Sequence, residues 1–199
     1  MIKLLLYCTK AKKQKDLLWS NNLKHFFLDG AYNRLIDNLP EYLLNGKIVA
    51  ECDFEVEEIV CDGYAYLPLN SNPAELETKG CLTEQELENY FTKKYGLVGY
   101  AIHIKNLHIF DTPKEFNDYY KFDGIYNDIN NWKTIDKAPQ NMMYAYDLIS
   151  ELGFSGTYNM HLKKNILISI QSQWMCLILN RIKDVEVRKV VLKEMLENE

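Results

Sequence analysis

The sequence predicts an α+β fold: a small mixed, mostly antiparallel sheet or open barrel with a few peripheral helices. Three observations carry that expectation. Short runs with strand patterning recur along the chain, alternating around residues 48–56 and 100–104 and apolar apart from Lys3 at 2–8. They are separated by loops and isolated helical segments, not by the regular βαβα order of a doubly wound sheet. No glycine-rich phosphate turn follows any of them.

Residues 2–9 (IKLLLYCT) form an apolar run closed by Lys10, Lys12 and Lys13, the pattern of a central strand buried on both faces. Between residues 17 and 44, apolar residues mix irregularly with Asn, Asp and Lys, which supports short helical turns at most. From Gly46 the signal sharpens. Ile48, Ala50, Cys52, Phe54 and Val56 alternate with Glu51, Asp53, Glu55 and Glu57, giving a strand with one apolar and one acidic face. Residues 62–79 contain Gly63, Pro68, Asn70, Ser71, Asn72 and Pro73 and read as a loop. Thr83 and Glu86 then form a capping box that opens a helix over 84–95.

Tyr100, Ile102 and Ile104 alternate with Ala101, His103 and Lys105 until Asn106 interrupts, and residues 107–110 resume the run. Two paired strands or one bulged strand fit this pattern. Thr112, Pro113 and Glu115 repeat a helix N-terminal signature, with proline where its missing N–H costs least, so a short helix to about residue 120 is expected. Residues 121–137 read as a loop rich in Asn, Asp and aromatics. A last short strand at 142–146 precedes an irregular connection around Gly153 and Gly156. At the end, 166–170 read as a strand, Gln171 or Ser172 caps a helix to about 180, and 185–189 begin a strand that leads to a closing helix.

Length and composition bound the function. A chain of 199 residues, 47% hydrophobic and 26% charged, suits one globular domain over 1–199. A formal net charge of -5 argues against a broad basic surface that coats nucleic acid, and leaves room for a local basic cleft. Five cysteines, an odd number without CxxC spacing, suit buried reduced thiols and a cytoplasmic protein. Residues 1–7 lack the flanks of a signal peptide, and no apolar run reaches the roughly 18–20 residues that span a bilayer, so no membrane is implied. HExxH and GxSxG are absent, and His25, His103, His108 and His161 lack metal-ligand spacing. Neither a metal nor a cofactor is expected.

The segment 166–189 (ILISIQSQWMCLILNRIKDVEVRK) is different in kind. It places an apolar strand and helix directly ahead of a charged strand bearing Lys183, Asp184, Glu186 and Arg188. Alternation puts Glu186 and Arg188 on one face. A carboxylate beside a guanidinium can hold a planar polar ligand or a phosphate, with Lys183 as a compact cation nearby, while the plain alternative is a solvated ion pair. Tyr7, Thr9 and Lys10 end the first strand and could reach the same cleft, or be simple surface residues. Trp174 could stack a base, although Trp174, Leu177 and Ile178 also share a helical core spacing. Trp132, Tyr144 and Tyr146 could form a stacking platform or merely pack, with Gln140 and Asn141 as turn residues.

This segment resembles the opening β-α-β unit of the ASCH family, relatives of the PUA-like RNA-binding domains. The family motif is Gly-x-Lys-x-x-Glu-x-Arg; Lys183, Glu186 and Arg188 match its last three positions, and Arg181 stands at the glycine. LLLYCTKAK at 4–12, GKIVAECDFEVEEI at 46–59, GYAIHIKNLHIFDTPKEF at 99–116 and APQNMMYAYD at 138–147 are also similar to family segments. The family places the motif-bearing unit first, whereas here 166–189 comes last, so the resemblance implies a circular permutation joined through 148–165, or a swap between chains. It also implies a small β-barrel-like domain with a cleft for RNA or a nucleotide, edged by Lys183, Glu186 and Arg188. Some members are amidohydrolases or ribonucleases, which would make Lys183 and Glu186 catalytic. The amidohydrolase branch has a threonine where Glu186 stands, and its separate catalytic carboxylate has no counterpart here. A third expectation is a protein-interaction or inhibitor module that has lost the ligand, motivated by the missing glycine and the acidic strand at 51–58.

Overall fold

The computed structural model describes residues 2–9, 46–61, 66–68, 72–91, 98–124, 131–152 and 158–197. Their strands are β1 (Lys3–Cys8), β2 (Ile48–Cys61), β3 (Tyr66–Pro68), β4 (Val98–Lys114), β5 (Tyr120–Phe122), β6 (Trp132–Thr134), β7 (Met142–Leu152), β8 (Tyr158–Ile170) and β9 (Val185–Arg188). The helices are α1 (Pro73–Gly80), α2 (Glu84–Phe91), α3 (Ser172–Leu179) and α4 (Lys193–Leu196), with one 3-10 turn at Phe116–Asp118.

The apolar run of β1 takes an interior place in the sheet, between β2 and β8. Leu4, Leu6 and Cys8 point into one core, while Leu5 and Tyr7 point into another on the opposite face. That is the burial a strand without polar alternation requires. β1 runs parallel to β8, pairing Leu4 with Ile166 and Cys8 with Ile170, and antiparallel to β2. The remaining pairs are antiparallel. The strand order is β6, β5, β7, β8, β1, β2, β4, β9, with β3 added to β2 off this path.

This order corrects the β-barrel-like expectation: the sheet is mixed, mostly antiparallel and carries a few helices, but it is open. Among the described residues β9 pairs only with β4, and no ladder joins it to a strand beyond. The physical reason lies in length. β9 has four residues and β6, at the opposite edge of the sheet, has three, so neither edge offers a long ladder on which the other could close.

Coverage of the sheet changes sides along β2. Ala50, Cys52 and Phe54 face α3, whose Met175 and Ile178 fill the same core. On the other face Glu51 and Asp53 are part-exposed, whereas Glu57 and Ile59 are buried at 4% and 0% exposure. There α1 and α2 cover the sheet with Leu76, Leu87 and Phe91. The face read as acidic is therefore solvated at one end only, and Glu57 is buried with His103 Nε2 3.4 Å away.

Four other segments differ from the sequence reading. Asn72 and Pro73 are loop signals that here start α1: the Asn72 side chain accepts from Glu75 N at 2.8 Å, and proline opens the first turn. The helix expected after Thr112 is a 3-10 turn, because pairing of Lys114 with Ile48 holds the chain extended through Pro113 and moves the capping box to Glu115 and Asp118. β5 and β6 form a hairpin inside the supposed loop at 121–137, too short to show a period; Phe122 and Trp132 pack at 5.0 Å. β7 and β8 pair antiparallel on both sides of the supposed irregular connection, as far as Leu152 with Tyr158, while Gly153 and Gly156 themselves lie outside the described residues. By contrast, 98–114 is one bulged strand with Asn106 in the left-handed region at φ 48, and the capping box of Thr83 and Glu86 opens α2. The reading of 17–44 lies outside the described residues. Among those described, no helix is long and apolar enough to cross a membrane.

Two measurements follow from this packing. A Cβ at Gly99 would land on the Phe91 ring, so Gly99→Ala should lower stability by about 1–3 kcal/mol in urea unfolding through overpacking beneath α2. Burial pushes the Cys8 thiol up to about 11, and those of Cys52 and Cys176 up to about 12. The unfolded chain ionises near pH 8.5, so these neutral thiols contribute fully below that pH, and their contribution is lost as pH rises towards 11–12. Stability measured from pH 7 to 10 should fall above about 8.5, and less steeply in Cys176→Ala.

Candidate functional site

The open seam is occupied by a cleft of about 530 Å³. Its lining comes from β9 (Glu186, Val187, Arg188), from the ends of β1 and β8 (Thr9, Ser169), from α3 (Trp174) and from α2 (Tyr90). This volume lies within the range of small-molecule sites.

The turn between α3 and β9 sets the charged residues. Ile182 N and Lys183 N both donate to Leu177 O, closing the helix. Arg181 holds a left-handed φ of 56, the conformation in which glycine costs least. Its guanidinium donates to Leu107 O at 3.1 Å. The alternation of β9 then turns Val185 and Val187 into the core under α1 and α2, and Glu186 and Arg188 to the other face.

Glu186 is the centre of the site. It is 7% exposed, with Oε1 2.9 Å from Arg188 Nη2 and Oε2 3.5 Å from Lys183 Nζ. Lys183 is 2% exposed; its ammonium donates to Gly80 O at 2.5 Å and lies 5.1 Å from the Trp174 ring centroid. The carbonyl of Gly80 closes α1, so Lys183 serves as a C-terminal cation of that helix. Burial pulls its ammonium below the usual lysine range, opposed by the Glu186 carboxylate. Arg188 reaches across the seam, donating through Nη2 to Ser169 O at 2.6 Å and through Nη1 to Asn141 Oδ1 at 3.2 Å. Its Nε–H is buried without a hydrogen-bond partner.

Thr9 lines the cleft at the end of β1, and its carbonyl accepts from Ser172 Oγ at 2.7 Å. Trp174 combines both readings, packing against the α3 core and lining the cleft. Tyr7 does not reach it: one residue along β1 from Cys8, it is turned to the opposite face, where its ring meets Phe116 at 4.6 Å. Lys10 lies outside the described residues. Trp132 and Tyr146 pack together at 4.7 Å away from the cleft lining. Tyr90 and Ser169 line the site without a sequence signal, and Gln140 and Gln171, read as a turn residue and a helix cap, line it as well. Nothing local marks them, since their place depends on the sheet's curl. Among the described residues no cluster of His, Cys, Asp and Glu could hold a metal ion.

No family model matches the chain, and neither the curated proteins nor the solved structures contain a match. The chemistry of the cleft follows from its own geometry. Two cations share one buried carboxylate; Lys183 is directed inward to α1, and Arg188 borders the opening.

Removing the carboxylate leaves both cations uncompensated. Glu186→Ala should therefore cost about 3–5 kcal/mol in urea unfolding, whereas Trp174→Phe should stay within about 1.5 kcal/mol.

Proposed function

We propose that the chain is an ASCH-type binding module, circularly permuted, that takes RNA or a nucleotide in the cleft at the seam. The observation that carries this reading is the Arg188 guanidinium, held by Glu186, Ser169 and Asn141 at the border of a cleft that also presents Trp174. An arginine fixed by a buried carboxylate is pre-organised to meet a phosphate or a base edge, and an indole beside it suits a planar base. The permutation is supported by the parallel pairing of 166–170 with β1 in the same chain, and by the left-handed backbone at Arg181. The net charge of -5 favours a compact ligand over a long backbone contact. The four buried thiols at Cys8, Cys52, Cys81 and Cys176 suit a cytoplasmic setting.

A hydrolase using Lys183 is the second reading, and the depressed ammonium pKa is what favours it. The lysine's contacts with Gly80 O, Glu186 and the Trp174 ring weigh against it, because they hold the ammonium as a structural cation. Turnover of an N4-acylated cytidine that vanishes in Lys183→Met would establish catalysis.

The binding reading is tested by fluorescence polarisation with a labelled eight-nucleotide oligouridine at two salt concentrations. Arg188→Ala should weaken binding by about 10- to 100-fold, the loss of a charge-assisted hydrogen bond. Equal binding by wild type and variant would remove Arg188 from the site, and no binding by the wild type would overturn the reading.

A further inference from the structure

The helix α2 brings to the cleft a tyrosine that the motif-bearing segment does not account for. Leu87 and Phe91, both 0% exposed, anchor α2 against Ile59, Ala101 and Val187. On the adjoining side of the helix, Glu86 and Tyr90 stand four residues apart, and both line the cleft. Tyr90 is thus fixed from behind, at 38% exposure, and Phe91 meets its ring edge-on at 5.0 Å.

Glu186 and Arg188 of the edge strand β9 line the cleft together with the Tyr90 ring. The Lys189 ammonium sits 4.5 Å from the ring centroid. A phenol hydroxyl carries one hydrogen that it can donate. Beside it stands a guanidinium, which has donors and no acceptor. A ligand oxygen at this corner would meet both donors.

We propose that Tyr90 is a ligand-contacting residue of the cleft, donating its hydroxyl hydrogen, next to Arg188, to an oxygen acceptor of the ligand. That oxygen is a base carbonyl or a phosphate oxygen, and the inference rests on the cleft being the nucleotide site argued above. Trp174 forms another wall of the same cleft, so a planar base would lie along the indole with its oxygen turned towards α2. Burial raises the phenol pKa, which keeps the donor protonated over the working pH range.

Isothermal titration of wild type and Tyr90→Phe with uridine and with uridine 5′-monophosphate tests this. Phenylalanine keeps the ring and the Phe91 contact, and the unfolding midpoint should stay unchanged. Loss of one hydrogen bond should weaken binding by about 3- to 10-fold. A loss of equal size for both ligands assigns the hydroxyl to a base carbonyl, and a loss confined to the monophosphate assigns it to the phosphate. Unchanged affinity for both in a wild type that binds them overturns the role of Tyr90 while the cleft reading stands. A wild type that binds neither ligand, nor the oligouridine, overturns the cleft reading and this inference with it.

Discussion

The buried carboxylate of Glu186 is the constraint on which the site depends. Lys183 is nearly inaccessible to solvent, and an ammonium in that position is tolerable only beside an opposite charge and with hydrogen-bond acceptors in reach. Glu186 supplies the charge and Gly80 O an acceptor. The same carboxylate holds Arg188, which in turn bonds Ser169 O at the end of β8 and Asn141 ahead of β7. One side chain therefore ties the end of α1, the edge strand β9 and the far side of the seam.

That linkage explains why the open sheet is not a failure of closure. A backbone ladder from β9 across the seam would fill it with paired strands and leave no cleft. Instead the gap is spanned by a guanidinium, and the space around it is walled by α3 on one side and α2 on the other. The switch of coverage along β2 belongs to the same geometry. α3 takes one face near the start of the strand and α2 the other face near its end, so the two helices approach β9 from different sides.

The segments legible from sequence were those where one physical signal dominates. β1 is apolar on both faces and lies inside the sheet; β2 alternates; the capping box of Thr83 and Glu86 opens α2; residues 172–179 carry an apolar helix. The misread segments are those where local signals are shared between structures. Asn72 and Pro73 suit a turn and a helix start equally, and Pro113 suits a first helical turn until pairing with β2 holds it extended. Three-residue strands such as β5 and β6 are too short for a period to appear.

For the site, the sequence by itself determined the cast: a lysine, a carboxylate and an arginine at three-, two-residue spacing after an apolar strand and helix, with Trp174 on that helix. Alternation also placed Glu186 and Arg188 on one face. What only the tertiary structure decided is direction and company. Lys183 turns inward to cap α1, Tyr7 turns away, and Tyr90 arrives from 96 positions before Glu186 in the numbering of the chain. The reason is physical: periodicity reports which face of an element a residue occupies, but which elements meet across a seam depends on strand order, curl and helix coverage, and those are long-range properties of the sheet.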